Sequence, residues 1–271
     1  MGAAAGGEGG GDGLEALLIA TDKAQIHSCG LYVRDKESAM SDAAYGIGAY
    51  SPAEAGRLLG VPSSSIRRWL FGYSYDHHGP RVRQQPLWEP QYGLDQDEPL
   101  LGFRDLIEAR MVTKLRSIGF GLPTIRLCLS TAAEIAQDSH PFSSACFRTD
   151  GQRLFLERLD DDGAHDVIDL KTRQHAFPKI IERSFLDLDF DDEKATRWFP
   201  FEKSRQVVAD PERSFGQPIT DTGGVPTIRL AQSYQAEGRS IDKVARIFEL
   251  GASVVRDALA FERQIGRLVA A

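Results

Sequence analysis

Apolar positions recur at helical spacing twice between Ser51 and Tyr73, with a glycine between the two runs. Ser51 is placed to cap the first run, and Pro52 suits its first position, where a missing N–H costs nothing. Glu54, three residues after the cap, can reach back to the cap's backbone N–H. Ala55, Leu58 and Leu59 make the apolar face, Gly60 supplies a permissive turn residue, and Val61 fills the corner. A second helix then carries Ile66, Trp69 and Leu70 inward. This pattern predicts a helix-turn-helix, with Ser64, Ser65, Arg67 and Arg68 on the free face near the start of the second helix. That is the end that meets base edges in a major groove, where arginine suits both phosphates and guanine. The same spacing fits a plain αα-hairpin with solvated arginines; the capping box, short turn and paired arginines together favour the DNA reader.

Residues 74–99 are rich in proline, glycine and aromatics and read as a wing. Arg81-Val82-Arg83 and Pro86-Leu87-Trp88 are its short extended pieces, with Arg81 and Arg83 set to meet phosphates. His77-His78, with no further ligand nearby, reads as loop rather than metal site. A helix follows over residues 103–118, with Leu106, Ile107, Ala109, Arg110, Met111, Val112 and Leu115 inward and Gly119 closing it. Another runs from about Pro123 to Ala136, and Ser139-His140-Pro141 stops it.

The period then changes from helical to alternating. Residues 146–149 and 153–156 flank Asp150-Gly151, a hairpin signal, and residues 167–170 supply a third strand, giving a small antiparallel module. Asp160-Asp161-Asp162-Gly163 lacks the alternate spacing of a calcium loop and reads as a solvated turn. Asp187, Asp189, Asp191, Asp192 and Glu193 read as a self-repelling linker. From Trp198 on, an irregular segment leads to two helices that repeat the first motif. Aligned on their caps, Ser51 falls on Ser240, Ala55 on Val244, Leu58 on Ile247, Val61 on Leu250, Ile66 on Val255 and Leu70 on Leu259. The outward charges of this second unit are mixed, since Lys243, Arg246 and Arg256 face Asp242, Glu249 and Asp257. Packing or dimerisation fits it as well as DNA reading.

The expected architecture is therefore α+β and mostly helical. It comprises a tail (1–44), a winged helix-turn-helix domain (45–138), a small β module with an acidic linker (139–197), and a helix-turn-helix-like domain (198–271). The glycine- and alanine-rich tail cannot bury enough apolar surface to offset its ordering entropy, and Met40 is an alternative start to Met1.

Composition adds limits. A chain of 271 residues with 42% hydrophobic content can bury a sizeable core, and no apolar run approaches the roughly 18 residues that cross a bilayer, so a cytoplasmic home is expected. Cys29, Cys128 and Cys146 are odd in number and widely spaced, which suggests neither disulfides nor zinc. The net charge of −7 argues against indiscriminate coating of nucleic acid, yet the front of the chain is basic and its middle acidic. That polarity suits DNA on one side and a protein partner on the other. No phosphate-binding loop, His-Glu-x-x-His or Gly-x-Ser-x-Gly is present, so no catalytic residue, metal or cofactor is expected.

The order helix, turn, helix, wing, followed by Leu101-Gly102-Phe103-Arg104-Asp105-Leu106-Ile107, residues 115–120 and Thr124-Ile125-Arg126, resembles the DNA-binding domain of MerR-type regulators. The resemblance implies a winged DNA reader working as a dimer. The stop at Ser139-His140-Pro141 departs from that family, whose members continue into a long coiled-coil helix. The last segment resembles the prokaryotic antitoxin-associated domain of unknown function 433, found in VapB-like type II antitoxins. It does so through Asp210, Pro211, Phe215, Gly216, Pro218, Pro226 and Thr227, ahead of residues 245–248 and 258–262. Gly223-Gly224 departs from the basic residue usual there.

Together the resemblances imply a DNA-binding antitoxin. It would repress its own operon at operator DNA, neutralise a PIN-like ribonuclease toxin, and form a homodimer or higher homo-oligomer. The alternative is a MerR-like transcriptional regulator whose C-terminal half binds an effector or partner. Arg205, Arg213 and Arg229 are the candidates for pairing with toxin carboxylates. Arg213 leads, because Asp210-Pro211 starts a turn and residues 215–218 would hold it stiffly. Bracing of the same turn against a local carboxylate is the competing role.

Overall fold

The computed structural model describes residues 46–268, except 77–78, 80, 94–98, 145–146, 150–153, 160–164, 172–186 and 192–193. The N-terminal tail, His77-His78, the Asp160-Asp161-Asp162-Gly163 turn, Cys29 and Cys146 lie outside the described residues.

Helices α1 (Pro52–Leu59) and α2 (Ser63–Phe71) form where the apolar spacing places them. The capping box closes in both directions: the Ser51 N–H donates to Glu54 Oε2 at 3.0 Å, and the Glu54 N–H donates to Ser51 Oγ at 3.2 Å. Gly60 ends α1 in the left-handed conformation, with φ 67°. Ala55, Leu58, Ile66, Trp69 and Leu70 are buried.

In the segment read as a wing, β1 (Tyr73–Asp76) pairs antiparallel with β2 (Arg81–Gln84). Residues 86–88, expected to be extended, instead turn inward. Leu87 and Trp88 are buried, and the indole N–H of Trp88 donates to Asp105 Oδ1 at 2.8 Å. A buried indole with its N–H satisfied gains more from the core than from an exposed ladder.

Helices α3 (Phe103–Ser117) and α4 (Leu122–Ala136) follow. Arg104 on α3 donates to the Asp138 carboxylate at 2.6 Å, to the His140 carbonyl at 2.8 Å and to Ser143 Oγ at 2.9 Å. Asp105 also faces His140 Nε2 at 2.9 Å, and Glu108 accepts the Ser143 N–H at 2.8 Å. Burial pushes the Glu108 carboxyl well above the usual range. The Ser139-His140-Pro141 stop is thus clasped onto α3. Arg110, read as part of the inward apolar stripe, points to the stripe's edge and forks onto both oxygens of Asp187.

Three antiparallel strands come next, in the order β3 (Phe147–Thr149), β4 (Leu154–Leu159), β5 (His165–Asp169). The hairpin signal is matched by the β3–β4 pairing. Asp192 and Glu193 lie outside the described residues, but the rest of the acidic stretch, residues 187–191, is not a self-repelling linker. It contributes strand β6 (Leu188–Asp191), paired with β7 (Lys194–Trp198). Asp187 takes Arg110 and the Trp198 indole N–H, while Asp189 takes Arg197 and Arg205. Arginine forks across the fold neutralise carboxylates that local sequence leaves facing one another.

The chain closes with the short pair β8 (Val207–Val208) and β9 (Ile219–Thr220), then α5 (Thr227–Ala236), α6 (Ile241–Ile247) and α7 (Ala252–Gln264). Three helices stand where two were expected; the extra one begins on the Pro226-Thr227 turn. Val244, Val255 and Leu259 are buried as the repeat predicts, but Ile247 is 55% exposed. Helix α6 ends at Ile247, and Phe248 and Leu250 pack against the local core instead.

The main core joins Tyr50, Ile66, Leu70 and Phe103 to Trp198, Phe201, Val207, Phe261 and Ile265 without a break at residue 138 or 197. A smaller core lies among α5, α6 and α7, built on Leu230, Val244, Val255 and Leu259. Among the described residues, no helix is long and apolar enough to cross a membrane.

Candidate nucleic-acid and partner interfaces

Helix α2 turns Ile66, Trp69 and Leu70 into the core, which forces Arg67 and Arg68 outward. Ser64 is exposed and Ser65 partly so. Arg81 and Arg83 are exposed on β2, two residues apart, and so share one face of the hairpin. Arg67, Arg68 and Arg83 border one open depression of about 420 Å³, floored by Phe71 and Gly72. Helix α2 and the β1–β2 hairpin therefore bring three of the four candidate arginines around a single surface. Arg81 stands apart, opposite Asp76 in the ladder, where an unlike charge offsets part of its field.

Two residues that sequence reasoning passed over shape this surface. Tyr73 lies beneath Arg68, whose guanidinium carbon is 4.2 Å from the ring centroid, so the aromatic holds the cation in place. Arg126 on α4 donates to the Pro86 carbonyl at 2.7 Å and ties the base of the wing to the helical body. The alternation Tyr73-Ser74-Tyr75, which pairs with Val82-Arg83-Gln84, is the hairpin signal that marks the first strand.

The three arginines assigned to a protein partner sit in different settings. Arg205 pairs with Asp189 and stacks on Phe199, with its guanidinium carbon 3.6 Å from the ring centroid. Arg213 donates to the Asp221 carbonyl at 3.3 Å and lies 3.9 Å from that residue's carboxylate. It thus has the bracing contact that competed with a projecting role. Arg229 is not in an irregular segment but in the first turn of α5, exposed, with a long 3.4 Å hydrogen bond to Gln232.

No group of three or more His, Cys, Asp or Glu among the described residues is arranged to hold a metal ion. Cys128 is buried, and burial raises its thiol to about 11, which keeps it protonated and unreactive.

Residues 48–129 match the family model described as "Putative DNA-binding HTH domain". Residues 48–129 carry a helix-turn-helix domain. "Putative antitoxin VapB45" of Mycobacterium tuberculosis strain H37Rv is 27% identical over 221 residues, covering 78% of this chain and 92% of that protein. The chain is similar to an antitoxin. Its fold is also that of the crystal structure of Rv2018 from Mycobacterium tuberculosis, with a TM-score of 0.53 and 23% identity over 78% of this chain and 96% of the other.

Proposed function

We infer that the protein is a DNA-binding antitoxin of a type II toxin–antitoxin system, with residues 45–138 as DNA reader and residues 198–271 as an antitoxin-associated helical domain. Winged units of this kind read inverted half-sites as dimers, so a homodimer on operator DNA, repressing its own operon in the cytoplasm, is part of the reading. Ser64, Ser65, Arg67 and Arg68 meet base edges, while Arg81 and Arg83 meet phosphates. The region after Ser139 neutralises a PIN-like ribonuclease through Arg205, Arg213 or Arg229. Arg229, the least engaged of the three, now takes first place over Arg213.

The observation that carries this reading is the span of the antitoxin likeness. It extends over 221 residues, far beyond the helix-turn-helix match at 48–129. The MerR-like regulator with an effector-binding half is the weaker reading, because α4 ends at Ala136 rather than running on as a coiled coil.

The test is co-expression of the full chain with the ribonuclease encoded beside it. Growth should be restored, and a stable complex should survive gel filtration. Growth arrest with no complex would sink the antitoxin reading.

A further inference from the structure

The stretch 213–217 ties the C-terminal unit to the strand-like segment that precedes α1. The Ala49 N–H donates to the Phe215 carbonyl at 3.0 Å, and the Tyr50 hydroxyl donates to the Gly216 carbonyl at 2.6 Å. Within the turn, the Gly216 N–H reaches Arg213 O and the Gln217 N–H reaches Ser214 O, both at 3.0 Å. Gly216 allows the approach, since a Cβ there would stand 2.2 Å from the Tyr50 hydroxyl oxygen.

This fixed backbone holds Ser214 at φ 49° and Phe215 at φ 53°, a region that residues with a Cβ seldom adopt. Such strain persists only where surrounding contacts over-determine it. Here it leaves Phe215 50% exposed on a main chain that is bonded on both sides. A large apolar side chain in that position does nothing for the core.

Phe215 borders an open groove of about 480 Å³ with Pro226, Ile228, Gln217, Gln232 and Arg229. Arg229 pairs with no carboxylate among the described residues, and a cation in the first turn opposes the dipole of α5. Neither residue is accounted for by the fold that carries it. An aromatic anchor on stiff backbone beside a lone arginine has the make-up of an interaction hot spot.

We propose that the Phe215–Ile228–Arg229 groove is the docking surface for the protein partner. The segment it receives carries an apolar side chain seated against Phe215 and a carboxylate paired with Arg229. This rests on the antitoxin reading and specifies its contact surface. Charge complementarity selects the occupant: Arg229 has no carboxylate partner among the described residues, so the groove favours a partner segment that carries an acidic side chain beside an apolar one.

The full chain is titrated with the adjacent ribonuclease by calorimetry, as wild type and as Phe215→Ser, Arg229→Ala and Arg246→Ala. Phe215→Ser should weaken binding at least tenfold with an unchanged salt slope. Arg229→Ala should weaken it and flatten the slope, and Arg246→Ala, an exposed cation on α6 outside the groove, should change it less than threefold. Variants at 215 and 229 that bind the ribonuclease as wild type does overturn the groove and leave the antitoxin reading standing. A wild-type chain that binds no ribonuclease overturns both. Loss of promoter binding in Phe215→Ser or Arg229→Ala would assign the groove to DNA, and dissociation of an oligomer in light scattering would assign it to a second copy; either result overturns the proposal.

Discussion

The α1–α2 and α6–α7 pairs share a frame and differ in almost everything exposed on it. Both begin on a serine cap, and both bury the equivalent positions Ala55 and Val244, Ile66 and Val255, Leu70 and Leu259. The first has a full capping box and a glycine in its turn. The second has Lys243 where the box needs an acid, and Glu249 in the left-handed turn position at φ 54°. On the outer face, Arg67 and Arg68 correspond to Arg256 and Asp257, and Asp257 accepts a 2.7 Å hydrogen bond from Ser204 rather than facing solvent alone. Apolar spacing is enough to build the pair, but it does not decide what the outer face is for. In the first pair the like charges of Arg67 and Arg68 stay exposed and the β1–β2 hairpin adds Arg83 beside them.

The sharpest way to break the comparison is at the outer faces. The double change Arg67→Ala, Arg68→Ala should lower affinity for a fragment of the protein's own promoter by two or more orders of magnitude, because one bidentate base contact contributes roughly 1–3 kcal/mol. Arg256→Ala should leave it within a factor of about three, a margin set by loss of a distant cation alone. Fluorescence anisotropy with both variants checks this, and equal losses would make both pairs readers.

Inside the pairs, Leu58→Ala should cost about 2–3 kcal/mol in urea unfolding, as truncation of a buried leucine does. The equivalent Ile247→Ala should stay within about 0.5 kcal/mol, since its side chain is mostly in solvent. A large loss at Ile247 would place it in an interface and not on a free surface.

The turns should show the smallest effects, with opposite signs. Gly60→Ala meets no atom within 4 Å but must hold φ 67°, so it should destabilise by about 1 kcal/mol. Glu249→Gly should stabilise by a few tenths to about 1 kcal/mol by relieving the same conformation. Thermal melting of the two variants distinguishes the signs.

The helices around Ser51 and Phe103 and the β3–β4 pairing were legible in the sequence because local periodicity, capping and a turn signal specify them. Non-local pairings were not. The acids at 187 and 189 look repulsive along the chain, yet each meets arginines brought from elsewhere in the fold. Trp88 likewise reads as a strand residue until its partner Asp105 is seen. Of the candidate site, the exposure of Arg67, Arg68, Arg81 and Arg83 followed from the helical and strand periods. The stacking of Arg68 on Tyr73 depends on β1 running back beside α2, which periodicity cannot express. Phe215 was legible only as a motif letter, because its exposure comes from bonds made by Ala49 and Tyr50, far away in the chain.

The Tyr50 hydroxyl bonded to Gly216 has a consequence for how the protein comes apart. Tyr50 is buried in the core that also holds Phe261 and Ile265, and burial raises its hydroxyl above the ordinary tyrosine range, which favours the protonated donor. A cut after residue 138 would therefore not release two self-sufficient halves; each piece would carry away one wall of a shared interior. Residues 46–268 should consequently melt in a single cooperative transition, and a chain severed in the middle should lose its helix-turn-helix and its helical tail together.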